Sequence, residues 1–174
     1  MGELYIVRHG KADRRLDDKF GEHVLMNSVG EMQIRTAGSV LGQLFSWRGT
    51  KVTTIECATS ARSKHNAKLL GGTMGEAARI IPNTLLDQEA TVGSDVLLKN
   101  IEQWTQDRET GLYLAVMSGR AIQAYLAHAG EPNVFIDDNE NHYVPCGSVT
   151  KIIYAAGGSA IDFVGQDPRD ITVK

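Results

Sequence analysis

Leu4-Tyr5-Ile6-Val7-Arg8-His9-Gly10 is the stretch on which the fold turns. Four consecutive apolar residues, then a polar pair and a glycine, suit a short strand buried on both faces of a parallel sheet. Working outward, residues 11–28 are polar, mixed in charge and aperiodic, as in a long loop, and loops of this length in a domain tend to be functional. From Gly30 a helical pattern takes over: Ile34, Ala37, Val40, Leu41, Leu44 and Phe45 recur at three- and four-residue steps, with Ser28 expected as N-cap. Residues 52–57 read as a second strand, 61–70 as a helix stopped by Gly71-Gly72, and 78–81 as a third strand stopped by Pro82. Residues 96–104 read as a helix with Leu97, Leu98, Ile101 and Trp104 inward, 112–117 as a wholly apolar strand, and 121–129 as the helix after it. The segments 148–154 and 160–164, around Ala155-Ala156-Gly157-Gly158, carry a hairpin signal. Strands alternating with helices predict an α/β fold, a three-layer α/β/α sandwich with a mainly parallel central sheet and a C-terminal hairpin.

Composition bounds the function. The 174 residues suit one domain spanning 1–174, and 42% hydrophobic residues are ordinary for a globular chain. A net charge of −3 gives no basic excess that would point to nucleic acid or an anionic membrane. Cys57 and Cys146 are too few for a disulfide framework and too far apart for a zinc cluster, so two reduced thiols are expected. Arg8 and His9 interrupt the first apolar run too early for an export signal, and no stretch approaches the ~18 apolar residues of a membrane span. A cytoplasmic location is the expectation.

Ligands of open α/β sheets bind outside the carboxyl ends of the strands. Those ends deliver Arg8-His9-Gly10 after the first strand, Ala58-Thr59-Ser60-Ala61-Arg62 after the second, and Met117-Ser118-Gly119 after the fourth. Two arginines and a histidine are thus expected to meet at one sheet edge. Phosphoryl transfer needs a nucleophile in line with the leaving oxygen and positive charge around the equatorial oxygens. His9 can be the nucleophile, and Arg8 and Arg62 can both grip phosphate bidentately and depress the His9 pKa. Gly10 allows close backbone approach to the phosphate. This chemistry requires no metal and no cofactor.

At these residues the chain resembles the histidine phosphatase superfamily, also called phosphoglycerate mutase-like. Residues 4–10 look like its N-terminal strand and Arg-His-Gly signature, and residues 26–38, with Gly30, Gln33 and Gly38, like its first helix. Residues 58–67 look like the segment of the second arginine, 116–126 like that of the second histidine, and 148–154 like its terminal strand, so the resemblance covers most of the chain. The Arg-His-Gly-Lys-Ala opening is most similar to the small bacterial phosphohistidine phosphatases. The resemblance implies a second histidine and an acid. Ser118 stands where that histidine belongs, with Gly119 after it, and a serine carries no positive charge. Replacing a charge-assisted bond by a neutral one costs at least several-fold in rate, and about 10²–10³-fold in a dry preorganised site. Glu89 is the best candidate acid, with a solvated loop carboxylate as the alternative.

The other histidines have blander readings. His65 lies one turn beyond Arg62, His128 falls at a helix end, and His23 and His142 sit in loops that could turn towards the site. Lys11, Arg14 and Arg15 could attract an anion, although Asp13, Asp17 and Asp18 make a solvated mixed-charge loop the simpler reading. The sequence therefore points to a phosphatase acting on a phosphorylated small molecule or phosphoprotein through His9. The alternative is an impaired relative that binds phosphorylated ligands or a protein partner without turnover.

Overall fold

Strand β1 (Gly2–Arg8) has Leu4 and Ile6 in one apolar cluster and Tyr5 and Val7 in another, so it is buried on both faces. That double burial is why its apolar run is continuous rather than alternating. The computed structural model describes residues 1–13, 24–75, 77–87, 99, 102–105, 108, 110–130, 144–156 and 158–171. Among these, β1 is joined by β2 (Thr54–Cys57), β3 (Arg79–Pro82), β4 (Gly111–Met117), β5 (Val149–Ala155) and β6 (Gly158–Gln166). They form one sheet of order β3-β2-β4-β1-β5-β6. Strands β1, β4, β2 and β3 run parallel, with Val7 opposite Val116 and Cys57 opposite both Val116 and Pro82. Strand β5 returns antiparallel beside β1, and β6 pairs antiparallel with it as the expected hairpin. The mainly parallel α/β architecture is the one the chain adopts.

Helices α1 (Ser28–Trp47) and α2 (Ala61–Met74) cover one face. Ile34, Leu41, Phe45, Ala67 and Leu70 pack there with Tyr5 and Val7, and the Tyr5 and Phe45 rings meet edge to face at 5.1 Å. Helix α3 (Gly119–His128) covers the other face, where Ile122 and Tyr125 join Leu4 and Ile6. Each fully buried Ile, Leu, Val or Phe side chain among them contributes about 1.5–3 kcal/mol. Of the helix expected over 96–104, Lys99 and 102–104 are described and helical, and Trp104 is buried against Tyr125 as the pattern required.

Three local expectations are corrected. The N-cap of α1 is Asn27, whose side chain accepts from the Gly30 amide at 2.9 Å; Ser28 is already helical. Gly71 and Gly72 do not stop α2. The helix runs on to Met74 and ends at Gly75, whose φ of 74° is the left-handed cap that glycine permits without strain. Pro82 is the last residue of β3 rather than its stop, which an edge strand tolerates. Glycine also sets the spacing of α1 and α2. A Cβ at Gly38 would press on the Leu70 carbonyl and Thr73, and one at Gly42 on the Met74 backbone.

Candidate active site

The carboxyl ends of β1, β4 and β2 and the start of β5 lie at one edge of the sheet. Arg8 is the last residue of β1. Its amide donates to the Ser148 carbonyl, its carbonyl accepts from the Gly147 amide, and its Nη1 donates to the Val144 carbonyl at 2.6 Å. Only 9% of Arg8 is exposed, and its Nε is buried without a hydrogen-bond partner. His9 continues the ladder by donating from its amide to Met117 O at 3.1 Å, which seats it beside the β4–α3 turn of Ser118 and Gly119.

Helix α2 brings Arg62 to the same place. Arg62 is buried, and its Nε donates to the Val24 carbonyl at 2.7 Å. Four residues on, Asn66 is fully buried and accepts from the Gly10 amide at 2.7 Å, while its own amide donates to the Arg62 carbonyl at 2.7 Å. The turn after β1 and the first turn of α2 are thereby bolted together. Asn66 escaped the sequence reading, although its i+4 spacing from Arg62 on one helix face was a usable signal. Asp87 was also missed; its carboxylate accepts from both the Thr59 amide and the Thr59 hydroxyl, at 2.5 and 2.6 Å, and steadies the turn leading to Arg62.

The His9 ring is partly buried, and its pKa is lowered to about 4. Burial is the largest cause, followed by the charge of Arg62 and then that of Arg8. The sequence reading named the two arginines and missed the larger effect. At neutral pH the ring is therefore uncharged. Its Nδ1 lies 3.2 Å from the Gly10 carbonyl, and because a carbonyl only accepts, Nδ1 carries the proton and Nε2 keeps its lone pair.

Ser118 is 3% exposed and caps α3, its hydroxyl oxygen accepting from the Ala121 amide at 3.2 Å. Gly119 is the first, buried residue of that helix, and Arg120 in the same turn is exposed. Gly10 makes its close approach to Gly30, since a Cβ on it would collide with the Gly30 carbonyl. His65 is partly buried with an unpartnered Nδ1, and His128 is exposed in the last turn of α3, away from this edge. Cys57 and Cys146 are free thiols, and burial pushes Cys57 up to about 11. Glu89, His23, His142, Arg14 and Arg15 lie outside the described residues.

Solved structures superpose on nearly the whole chain. Bacillus stearothermophilus YhfR aligns over 98% of both chains at 16% identity, with a TM-score of 0.68. The protein histidine phosphatase SixA complexed with tungstate covers 98% of this chain and 99% of its own at 11% identity and a TM-score of 0.66. A phosphoglycerate mutase from Bacillus anthracis covers 95% and 93% at 16% identity and a TM-score of 0.67. The fold is that of the histidine phosphatases. No protein-family model and no curated protein matches the sequence, so the likeness lies in the fold. On the histidine phosphatase fold the chain carries Arg8, His9 and Arg62 together at the strand ends, and Ser118 at the head of α3. Among the described residues, no helix is long and apolar enough to cross a membrane.

Proposed function

We propose that the protein is a phosphatase acting through a covalent phosphohistidine on His9. The observation that carries this reading is the state of His9: neutral, with Nδ1 tied to the Gly10 carbonyl and Nε2 free to attack, and with two buried arginines beside it. In the first step the Nε2 lone pair forms a bond to phosphorus as the bond to the leaving oxygen or nitrogen breaks. Glu89 supplies the proton to the leaving group. Water then attacks phosphorus, passing a proton to the Glu89 carboxylate as the Nε2–phosphorus bond breaks, which releases inorganic phosphate and restores the ring. Arg8 and Arg62 hold the equatorial oxygens, and the buried, unpartnered Nε of Arg8 is a donor in want of an acceptor.

Ser118 sets the demand on the substrate. With serine rather than a cation at position 118, the site favours a good leaving group, as in a phosphoramidate or aryl phosphate, over an alkyl phosphate. The substrates proposed are phosphorylated small molecules or phosphoproteins in the cytoplasm. A second reading, binding of phosphorylated ligands without turnover, is favoured by the commitment of the Ser118 oxygen to capping α3.

Hydrolysis of an aryl phosphate and of phosphohistidine, compared between wild type, His9→Ala and Ser118→His, separates the two. Turnover lost in His9→Ala supports the enzyme. An inert wild type with activity gained in Ser118→His supports the binding protein. If neither phosphate nor vanadate raises the melting temperature, both readings fall.

A further inference from the structure

We propose that Asn66 and Gln33 are positioning residues that clamp the two peptide units on either side of Gly10 and so fix the ring of His9 for attack. The proposal rests on the phosphatase reading for its kinetic consequence, but its geometric part stands alone.

Gly10 joins two peptide planes. The first carries the Gly10 N–H, which donates to Asn66 Oδ1 at 2.7 Å. The second carries the Gly10 carbonyl and the Lys11 N–H, and that N–H donates to Gln33 Oε1 at 3.1 Å. The Gly10 carbonyl is the acceptor that holds His9 Nδ1. A glycine between two peptides is the least restrained point of a backbone. Here each neighbouring plane is pinned by a side-chain amide from a different helix, Asn66 from α2 and Gln33 from α1. The regular pairing of β1 ends at Arg8, and the His9 amide is already spent on Met117. The turn rests on Gly30 and is held by the Asn27 amide at Lys11 O, but the N–H groups of the two planes at Gly10 are taken by side chains.

The choice of residue at 66 is informative. Asparagine is a mediocre helix former, and a fully buried position on the inner face of α2, beside Ala67 and Leu70, would ordinarily be apolar. The asparagine amide, without adding charge, accepts from Gly10 and donates to the Arg62 carbonyl at once. An aspartate would set a negative charge among Arg8, Arg62 and His9 and leave the Arg62 carbonyl without that donor. A leucine would leave the Gly10 amide buried and unpaired.

The test compares wild type with Asn66→Leu, Asn66→Thr and Gln33→Met. Gln33 is only partly buried, so Gln33→Met keeps the question open to measurement if Asn66→Leu fails to fold. The threonine hydroxyl can accept from Gly10 and donate to the carbonyl four residues back, and is the rescuing variant. The first readout is the tautomer of His9 by nitrogen NMR on histidine-labelled protein above pH 6. Wild type and Asn66→Thr should show the Nδ1–H form alone, and the other two a mixture with Nε2–H. The second is kinetic: with an aryl phosphate, kcat should fall about 10–100-fold in the unclamped variants, as for a nucleophile displaced by ~1 Å, with KM nearly unchanged. A folded Gln33→Met or Asn66→Leu that keeps the single tautomer and wild-type kcat overturns the proposal. A wild type without turnover, whose variants still mix tautomers, sinks the phosphatase reading and leaves the clamp standing.

Discussion

Gly10 and Gly30 meet backbone to backbone: a Cβ on Gly10 would strike the Gly30 carbonyl, and one on Gly30 would strike the Lys11 backbone. The turn carrying His9 therefore rests directly on the first turn of α1. This contact is reinforced by the Asn27 amide donating to Lys11 O at 3.0 Å and by a bridge between Ala12 and Met26.

Gly30→Ala tests this packing. In a free helix the change would stabilise by about 1 kcal/mol. Here both colliding groups are backbone and cannot turn aside, so overpacking should reverse the sign and cost about 1–3 kcal/mol. Urea denaturation should show a lower midpoint with an unchanged slope. A midpoint at or above wild type would mean that the turn is not seated against α1.

The low pKa of His9 predicts a pH dependence with a definite sign. An imidazole at about 4 in the folded protein and about 6.5 in the unfolded chain takes up its proton first in the unfolded state. The stability it leaves intact above pH 6.5 is lost progressively as pH falls towards 4, by at most about 3 kcal/mol. His9→Gln should flatten that part of the stability profile. Arg62→Met, which removes the charge with the larger effect, should raise the His9 pKa part of the way towards 6.5 in an NMR titration. A His9 that titrates near 6.5 in the wild type would refute the assigned burial and charges.

What the sequence made legible follows from which forces act locally. Doubly buried β1 and β4 need continuous apolar runs, and a half-buried α1 needs a stripe, so both could be read from spacing. Glycine was ambiguous because it serves two ends. At Gly75 it ends α2 through a positive φ, whereas Gly71 sits within the helix, where a Cβ would come within 3.1 Å of the Ile55 Cδ1. Arg8, His9 and Arg62 stood out by charge at strand ends. Asn66 carried only its spacing from Arg62 as a signal, since its contact with Gly10, 56 positions away, is encoded by no local pattern. The depth of burial of His9 was equally invisible before the two halves were assembled.

Glu56 on β2 gathers a second buried network, away from the site. Its carboxylate accepts from Asn83 at 2.8 Å, Trp104 at 2.7 Å and Arg108 at 2.8 Å, and the Arg108 guanidinium lies 4.4 Å from the centres of both the Trp104 and Tyr113 rings. Burial alone would raise the Glu56 pKa; hydrogen bonds from Asn83, Arg108 and Trp104, together with the charge of Arg108, outweigh it and lower the value. A carboxylate with a depressed folded pKa contributes stability above its unfolded pKa near 4.5, which is lost as pH falls through the folded value. Glu56→Gln should cost about 3 kcal/mol at pH 7 by leaving the buried Arg108 uncompensated. It should also shrink the acid sensitivity below pH 4.5. Thermal melts at pH 7 and pH 3 measure both, and a variant as stable as wild type at pH 7 would contradict the network.

Ser118 has two roles that substitution can part. As N-cap of α3 it needs an acceptor oxygen, and as a corner of the proposed anion site it must not repel phosphate. Ser118→Ala removes the cap and should cost about 1 kcal/mol, while leaving phosphate affinity within a few-fold. Ser118→Asp keeps a good cap at the positive end of the helix and should be as stable as wild type or slightly more so. It also places a negative charge beside the arginines, and should abolish the rise in melting temperature produced by phosphate or vanadate. Ser118→Ala therefore lowers stability and spares anion binding, whereas Ser118→Asp spares stability and removes anion binding. If Ser118→Asp retains the phosphate-induced rise in Tm, the anion does not bind at the head of α3, and the site must be sought nearer to α2.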